Sequence, residues 1–198
     1  MIEEKDIENV AEKKDEINND EKGKNKKERG LLYKICSNII VPLLIAFGIS
    51  LCIQKFLVYK VYIPSASMAP TINEGDSLFV RRIYNLDKIE RGDILVFESD
   101  ELNDVLIKRV IGLPGDKIRI EDGTVYVNDK KIDDSYVKNK ANNSGEYKVP
   151  DGCYFFLGDN RADSYDSSRW DNPYIDGSKI RGKAFIRVAP ISEFGLID

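Results

Sequence analysis

The sequence predicts a mostly β protein, an antiparallel β-sheet domain preceded by one transmembrane helix. Seven short runs rich in Val, Ile, Phe and Tyr follow Val58, with turn formers between them. No segment of helical period and useful length interrupts them. Upstream, Ile35 to Ile53 carries no charge and approaches the roughly 20 residues that cross a bilayer.

In chain order, residues 1–30 are dense in Lys, Glu, Asp and Asn and nearly lack large apolar side chains. Such a segment cannot bury enough surface to offset its ordering entropy, and it reads as a disordered charged tail. Residues 31–58 form the anchor. A cleavable leader would need a small-x-small site, and Gln54-Lys55-Phe56-Leu57-Val58-Tyr59-Lys60 offers none. Lys24, Lys26, Lys27, Arg29 and Lys34 crowd the N-terminal flank, against only Lys55 and Lys60 close after the span. The positive-inside tendency therefore puts the tail in the cytoplasm and residues 59–198 outside the cell membrane. The predicted strands lie in Asp76–Arg82, Gly92–Glu98, Asp104–Ile111, Lys117–Glu121, Thr124–Asn128, Tyr154–Gly158 and Lys183–Val188. Asp122-Gly123 marks a hairpin, and Leu113-Pro114-Gly115-Asp116 a turn.

Composition removes several classes of function. A net charge of −4, with basic and acidic residues mixed in the β region, argues against nucleic acid as a partner. Histidine is absent, which removes the commonest general base and the commonest metal ligand together. Cys36 and Cys52 fall in the apolar segment and Cys153 far from them, so neither a disulfide framework nor a metal site can be drawn. Cys153 reads as a small core residue. No cofactor is implied.

A hydrolase without imidazole has lysine, a carboxylate or a terminal amine as base for a serine nucleophile. Lysine serves only when neutral, and an ordinary pKa of about 10.4 must be lowered by desolvation for that. Lys108 lies in the apolar run Val105 to Ile111, with Leu106 and Val110 on its own face. Alternation alone does not separate it from Arg109, which sits equally between Ile107 and Ile111. The serine-bearing loop, Ile63-Pro64-Ser65-Ala66-Ser67-Met68-Ala69-Pro70-Thr71, is bracketed by prolines.

Pro64-Ser65-Ala66-Ser67-Met68-Ala69-Pro70-Thr71 resembles the Pro-Ser-x-Ser-Met-x-Pro-Thr signature of type I signal peptidases. Three further blocks follow in the family's order: Arg91 to Phe97, Ile107 to Asp116, and Gly158-Asp159-Asn160-Arg161 through Asp166-Ser167. With the anchor, the resemblance spans nearly everything after the tail. It implies Ser67 as nucleophile and Lys108 as general base. It further implies Ser65 as a hydroxyl donor to the oxyanion beside the Ser67 N–H, Ser164 as a group orienting the lysine amine, and Asp166 as a brace for that region. Ile63 and Ile107 match apolar positions lining the family's substrate pockets, although each also fits ordinary strand core.

The implied activity is endoproteolytic removal of N-terminal signal peptides from secreted preproteins, cut after small residues at the first and third positions before the bond. Preproteins and the lipid bilayer are the implied partners. The other expectation weighed is a catalytically inactive, membrane-tethered binding module on the same fold. Apolar residues around Met68 and Leu78-Phe79 are candidates for lipid contact. The last block departs from the family where Asp166-Ser167-Ser168-Arg169 replaces Asp-Ser-Arg, so the arginine comes one position late and an Asp166–Arg169 ion pair is not expected to carry over unchanged.

Overall fold

The structure is a computed structural model that describes residues 33–34 and 36–197. The predicted tail, with Lys24, Lys26, Lys27 and Arg29, lies outside the described residues. The described residues fall into two compact units that divide between Ile53 and Gln54. A π-helical turn, Cys36–Ile40, runs into helix α1, Val41–Phe56, whose last three residues fall past that division. Pro42 lies just after that π-helical turn, where it has no N–H to give to the carbonyls of the preceding turn. Ser37–Phe56 is long and apolar enough to cross a membrane, and none of it is buried within the protein.

The second unit contains two antiparallel sheets. Strands β1 (Val58–Tyr62), β2 (Ser77–Arg82), β3 (Ile94–Ser99), β4 (Asp104–Gly112), β9 (Cys153–Leu157), β10 (Ile175–Asp176), β11 (Ile180–Ala189) and β12 (Gly195–Leu196) make the larger one. Its order is β1-β2-β11-β3-β4-β9-β10, with β12 against β11. Strands β5 (Lys117–Glu121), β6 (Thr124–Val127), β7 (Lys130–Lys131) and β8 (Gly145–Lys148) make the smaller, ordered β7-β6-β5-β8. All seven predicted runs are strands. The five strands that the apolar pattern did not foresee, β1, β7, β8, β10 and β12, all lie at sheet edges. Edge strands have one neighbour and need no apolar alternation, so polar residues such as Lys130-Lys131 or Gly145-Glu146-Tyr147-Lys148 suit them.

Turn chemistry sets the registers. Asp122 and Gly123 take φ of 46° and 75° and join Glu121 to its partner Thr124, the left-handed pair of a two-residue hairpin. A Cβ on Gly123 would stand 1.8 Å from the Ala141 carbonyl oxygen. Asn128 and Asp129, with φ of 50° and 65°, form a second such turn between Val127 and Lys130. Leu113-Pro114-Gly115-Asp116 turns as expected, with Asp116 N donating to Leu113 O at 3.0 Å and Gly115 at φ 84°.

Three apolar clusters fill the domain. One gathers Leu95, Phe97, Val110, Phe156 and Trp170; a second Ile63, Met68, Ile72, Leu78, Val80 and Val96; a third Ile111, Ile118, Val125 and Phe155. The second cluster corrects the lipid-contact expectation. Met68 and Leu78 are fully buried, because β2 turns Leu78 and Val80 inward and Phe79 outward; only Phe79 is exposed. Cys153 is half-buried against the third cluster.

Candidate active site

The serine loop leaves β1 at Tyr62 and returns to β2 at Ser77. Ile63 anchors both ends of the excursion, its N–H donating to Asp76 O and its carbonyl accepting from Gly75 N, each at 2.9 Å. Within the loop Ala69 N bonds Ala66 O, and Ile72 N bonds Met68 O, each at 3.0 Å. The buried Met68 side chain fixes the neighbouring Ser67 against the core. Arg187 of β11 holds the return limb through an ion pair with Asp76 at 2.9 Å and a hydrogen bond to Thr71 O.

Lys108 comes from the centre of β4, opposite Leu95 of β3. Its Nζ donates to Ser67 Oγ at 2.5 Å, with both residues buried. Burial holds the Lys108 pKa below the ordinary lysine value, against the charges of Asp166 and Asp159, which raise it. An amine of that kind is neutral at a lower pH than a solvated lysine, and the contact then reverses, with the serine O–H donating to nitrogen.

Ser65 is exposed, its Oγ 3.4 Å from Ser67 Oγ. Ser164 is fully buried and its Oγ has no hydrogen-bond partner in the structure, so it makes no bond to Lys108 here. It packs against Gly158, where an added Cβ would stand 2.3 Å from Ser164 Oγ and 2.5 Å from Ser67 O. Asp166, also buried, accepts from Gly158 N at 2.9 Å. Ile63 and Ile107 belong to the same apolar cluster as Met68, Ile63 buried and Ile107 partly so. Asp166 has no ion pair with Arg169, whose Nη2 donates instead to Ala162 O at 3.1 Å.

Three separate stretches of sequence thus meet around one serine hydroxyl and one buried amine. The profile described as signal peptidase, peptidase S26, matches residues 36–189, most of the chain. This chain belongs to that family. The probable signal peptidase I-2 of Synechocystis sp. is 40% identical over 167 residues, covering 80% of this chain and 74% of that protein. Signal peptidase I of Bacillus licheniformis is 34% identical over 191 residues, covering 90% and 99%. A solved signal peptidase I from Enterococcus faecalis V583 aligns with 28% identity and a TM-score of 0.44, over 50% of this chain and 98% of that one.

This signal peptidase family member also relies on residues that the sequence reading left without a role. Arg109 and Asp159 form a buried fork, Nε to Oδ1 at 2.9 Å and Nη2 to Oδ2 at 2.7 Å. Thr71 Oγ1 donates to the same Oδ2 at 2.6 Å, so this carboxylate ties the serine loop to the lysine strand. The next residue, Asn160, donates from its N to Ser67 O and from Nδ2 to Ala66 O, each at 3.1 Å. All lie inside the quoted motif blocks. Only their partners, distant in sequence, were missing.

Proposed function

We propose that this enzyme cuts preproteins with Ser67 as nucleophile and neutral Lys108 as general base. As a type I signal peptidase it is a serine protease that removes signal peptides. The observation that carries the residue assignment is the 2.5 Å contact between Lys108 Nζ and Ser67 Oγ at a buried site. In the first half-reaction Ser67 Oγ attacks the scissile carbonyl as its proton passes to Nζ. The amine then protonates the leaving nitrogen, and an ester to Ser67 remains. In the second, the same amine takes a proton from water, which hydrolyses the ester and frees the serine. The Ser67 N–H and the exposed Ser65 hydroxyl supply the oxyanion donors, a pair of the kind that contributes a few kcal/mol. Asp166 acts on the lysine through its charge and Ser164 packs against Gly158 behind the serine loop, while Ile63 and Ile107 form the apolar wall that receives the small side chains before the cut.

The helix Ser37–Phe56 supports a single span, with residues 1–30 cytoplasmic and the catalytic domain, residues 59–198, outside. Ser67 follows the helix closely enough that even an extended connection of about 3.5 Å per residue keeps it near the bilayer surface. An inactive binding module is disfavoured, since such a protein would have no need of a lysine desolvated onto a serine.

Cleavage of a preprotein in detergent, with the new N-terminus read by mass spectrometry, tests the assignment. Cutting after a small-x-small sequence, abolished by both Ser67→Ala and Lys108→Ala, is expected. A folded wild type that is silent across several preproteins refutes it.

A further inference from the structure

Asp166 is buried, yet none of the ion pairs among the described residues includes it. A buried carboxylate must find donors elsewhere. Its Oδ2 takes the Gly158 N–H at 2.9 Å. Its Oδ1 takes both the Ser168 hydroxyl at 2.8 Å and the Ser168 N–H at 3.2 Å. Arg169, the next cation along the chain, is turned to the carbonyl oxygens of Ala162 and Arg161. Ser168 therefore supplies both donors to Asp166 Oδ1 where no cation pairs with it. It is also the residue by which this block exceeds the Asp-Ser-Arg order.

What Asp166 holds matters for the chemistry. Gly158 leads directly into Asp159, which grips Arg109 and Thr71, and Asn160, which grips the carbonyls of Ser67 and Ala66. Gly158 has no slack against Ser67 O and Ser164 Oγ. A displacement of Asp166 thus passes through Gly158 to the backbone of the nucleophile.

We propose that Ser168 is a positioning residue for the cleavage reaction: its hydroxyl locks Asp166 Oδ1, so that Asp166 fixes the Gly158–Asn160 stretch that holds Ser67. This role rests on the assignment of Ser67 and Lys108 as the reacting pair. Because Ser168 acts through Asp166 and Gly158 on the backbone that carries Ser67, its loss is expected to act on the chemical step more than on capture of the preprotein.

The test uses the full-length enzyme in detergent, comparing Ser168→Ala, Ser168→Thr and Ser67→Ala. Ser168→Ala is expected to lower kcat about tenfold while KM and the melting temperature stay near the wild-type values, and Ser168→Thr, which keeps the hydroxyl, to recover most of the loss. Wild-type kcat in Ser168→Ala overturns the proposal. So does equal impairment of the alanine and threonine variants, or a fall in kcat matched by a loss of folded protein. Residual cleavage by Ser67→Ala overturns instead the nucleophile assignment beneath it.

Discussion

Replacing Asp159 by asparagine keeps the side chain's shape and removes its charge, which isolates the electrostatic part of the Arg109–Asp159 fork. Both side chains are withdrawn from solvent, at 6% and 0% exposure. Burial works against the Arg109 cation, but the hydrogen bond and charge of Asp159 more than offset it, with help from Tyr136 and Asp93. Removing one partner of such a pair strands the other charge and costs about 3–5 kcal/mol. At roughly 2–4 °C per kcal/mol for a protein of this size, Asp159→Asn should melt about 6–20 °C below wild type. Arg109→Met together with Asp159→Leu should recover much of that, because apolar replacement of both partners leaves no stranded charge. Thermal and urea unfolding of the full chain in detergent, arranged as a double-mutant cycle, measures the coupling. An Asp159→Asn variant that melts with wild type, or single losses that simply add in the double variant, would refute a buried pair that ties β4 to the serine loop.

The acid limb of kcat/KM against pH should report Lys108 and fall below the ordinary lysine range, since burial lowers its pKa; Asp166→Asn removes a charge that raises it and should move the limb to lower pH, and an unmoved limb refutes that electrostatic link. The same depression has a consequence for stability: the unfolded chain binds the proton more tightly, so folding gains stability as pH rises from the lowered native value toward 10.5, and Lys108→Met should flatten that slope in urea unfolding measured across the range. Gly158→Ala would drive its Cβ within 2.5 Å of Ser67 O and within 2.3 Å of Ser164 Oγ. Overpacking of that kind costs about 1–3 kcal/mol, and a shift of about 1 Å at the nucleophile about a hundredfold in rate, so a Gly158→Ala enzyme with wild-type kcat/KM would show that this contact does not position Ser67.

The sequence by itself determined the antiparallel β class, the long apolar helix, the Asp122-Gly123 hairpin and the serine and lysine that the fold joins. These are local signals: an uncharged run, a two-residue turn, apolar side chains that alternate, and motif blocks whose order along the chain is readable. It missed five strands, all at edges, where pairing to one neighbour stabilises polar segments that carry no pattern of their own. The pattern in β4 also could not distinguish Lys108 from Arg109. Tertiary structure separated two equally buried cations by what faces each: a serine hydroxyl for Lys108, and for Arg109 a carboxylate that keeps it charged. The partners of Asp159, Asn160 and Asp166 were likewise invisible; the late arginine of the last block was legible, but not that Ser168 would bond Asp166. Each depends on contacts between chain segments brought together only when the sheets close. A buried charge reveals its role through the groups that neutralise or bond it, and those are named by the fold, not by neighbours in sequence.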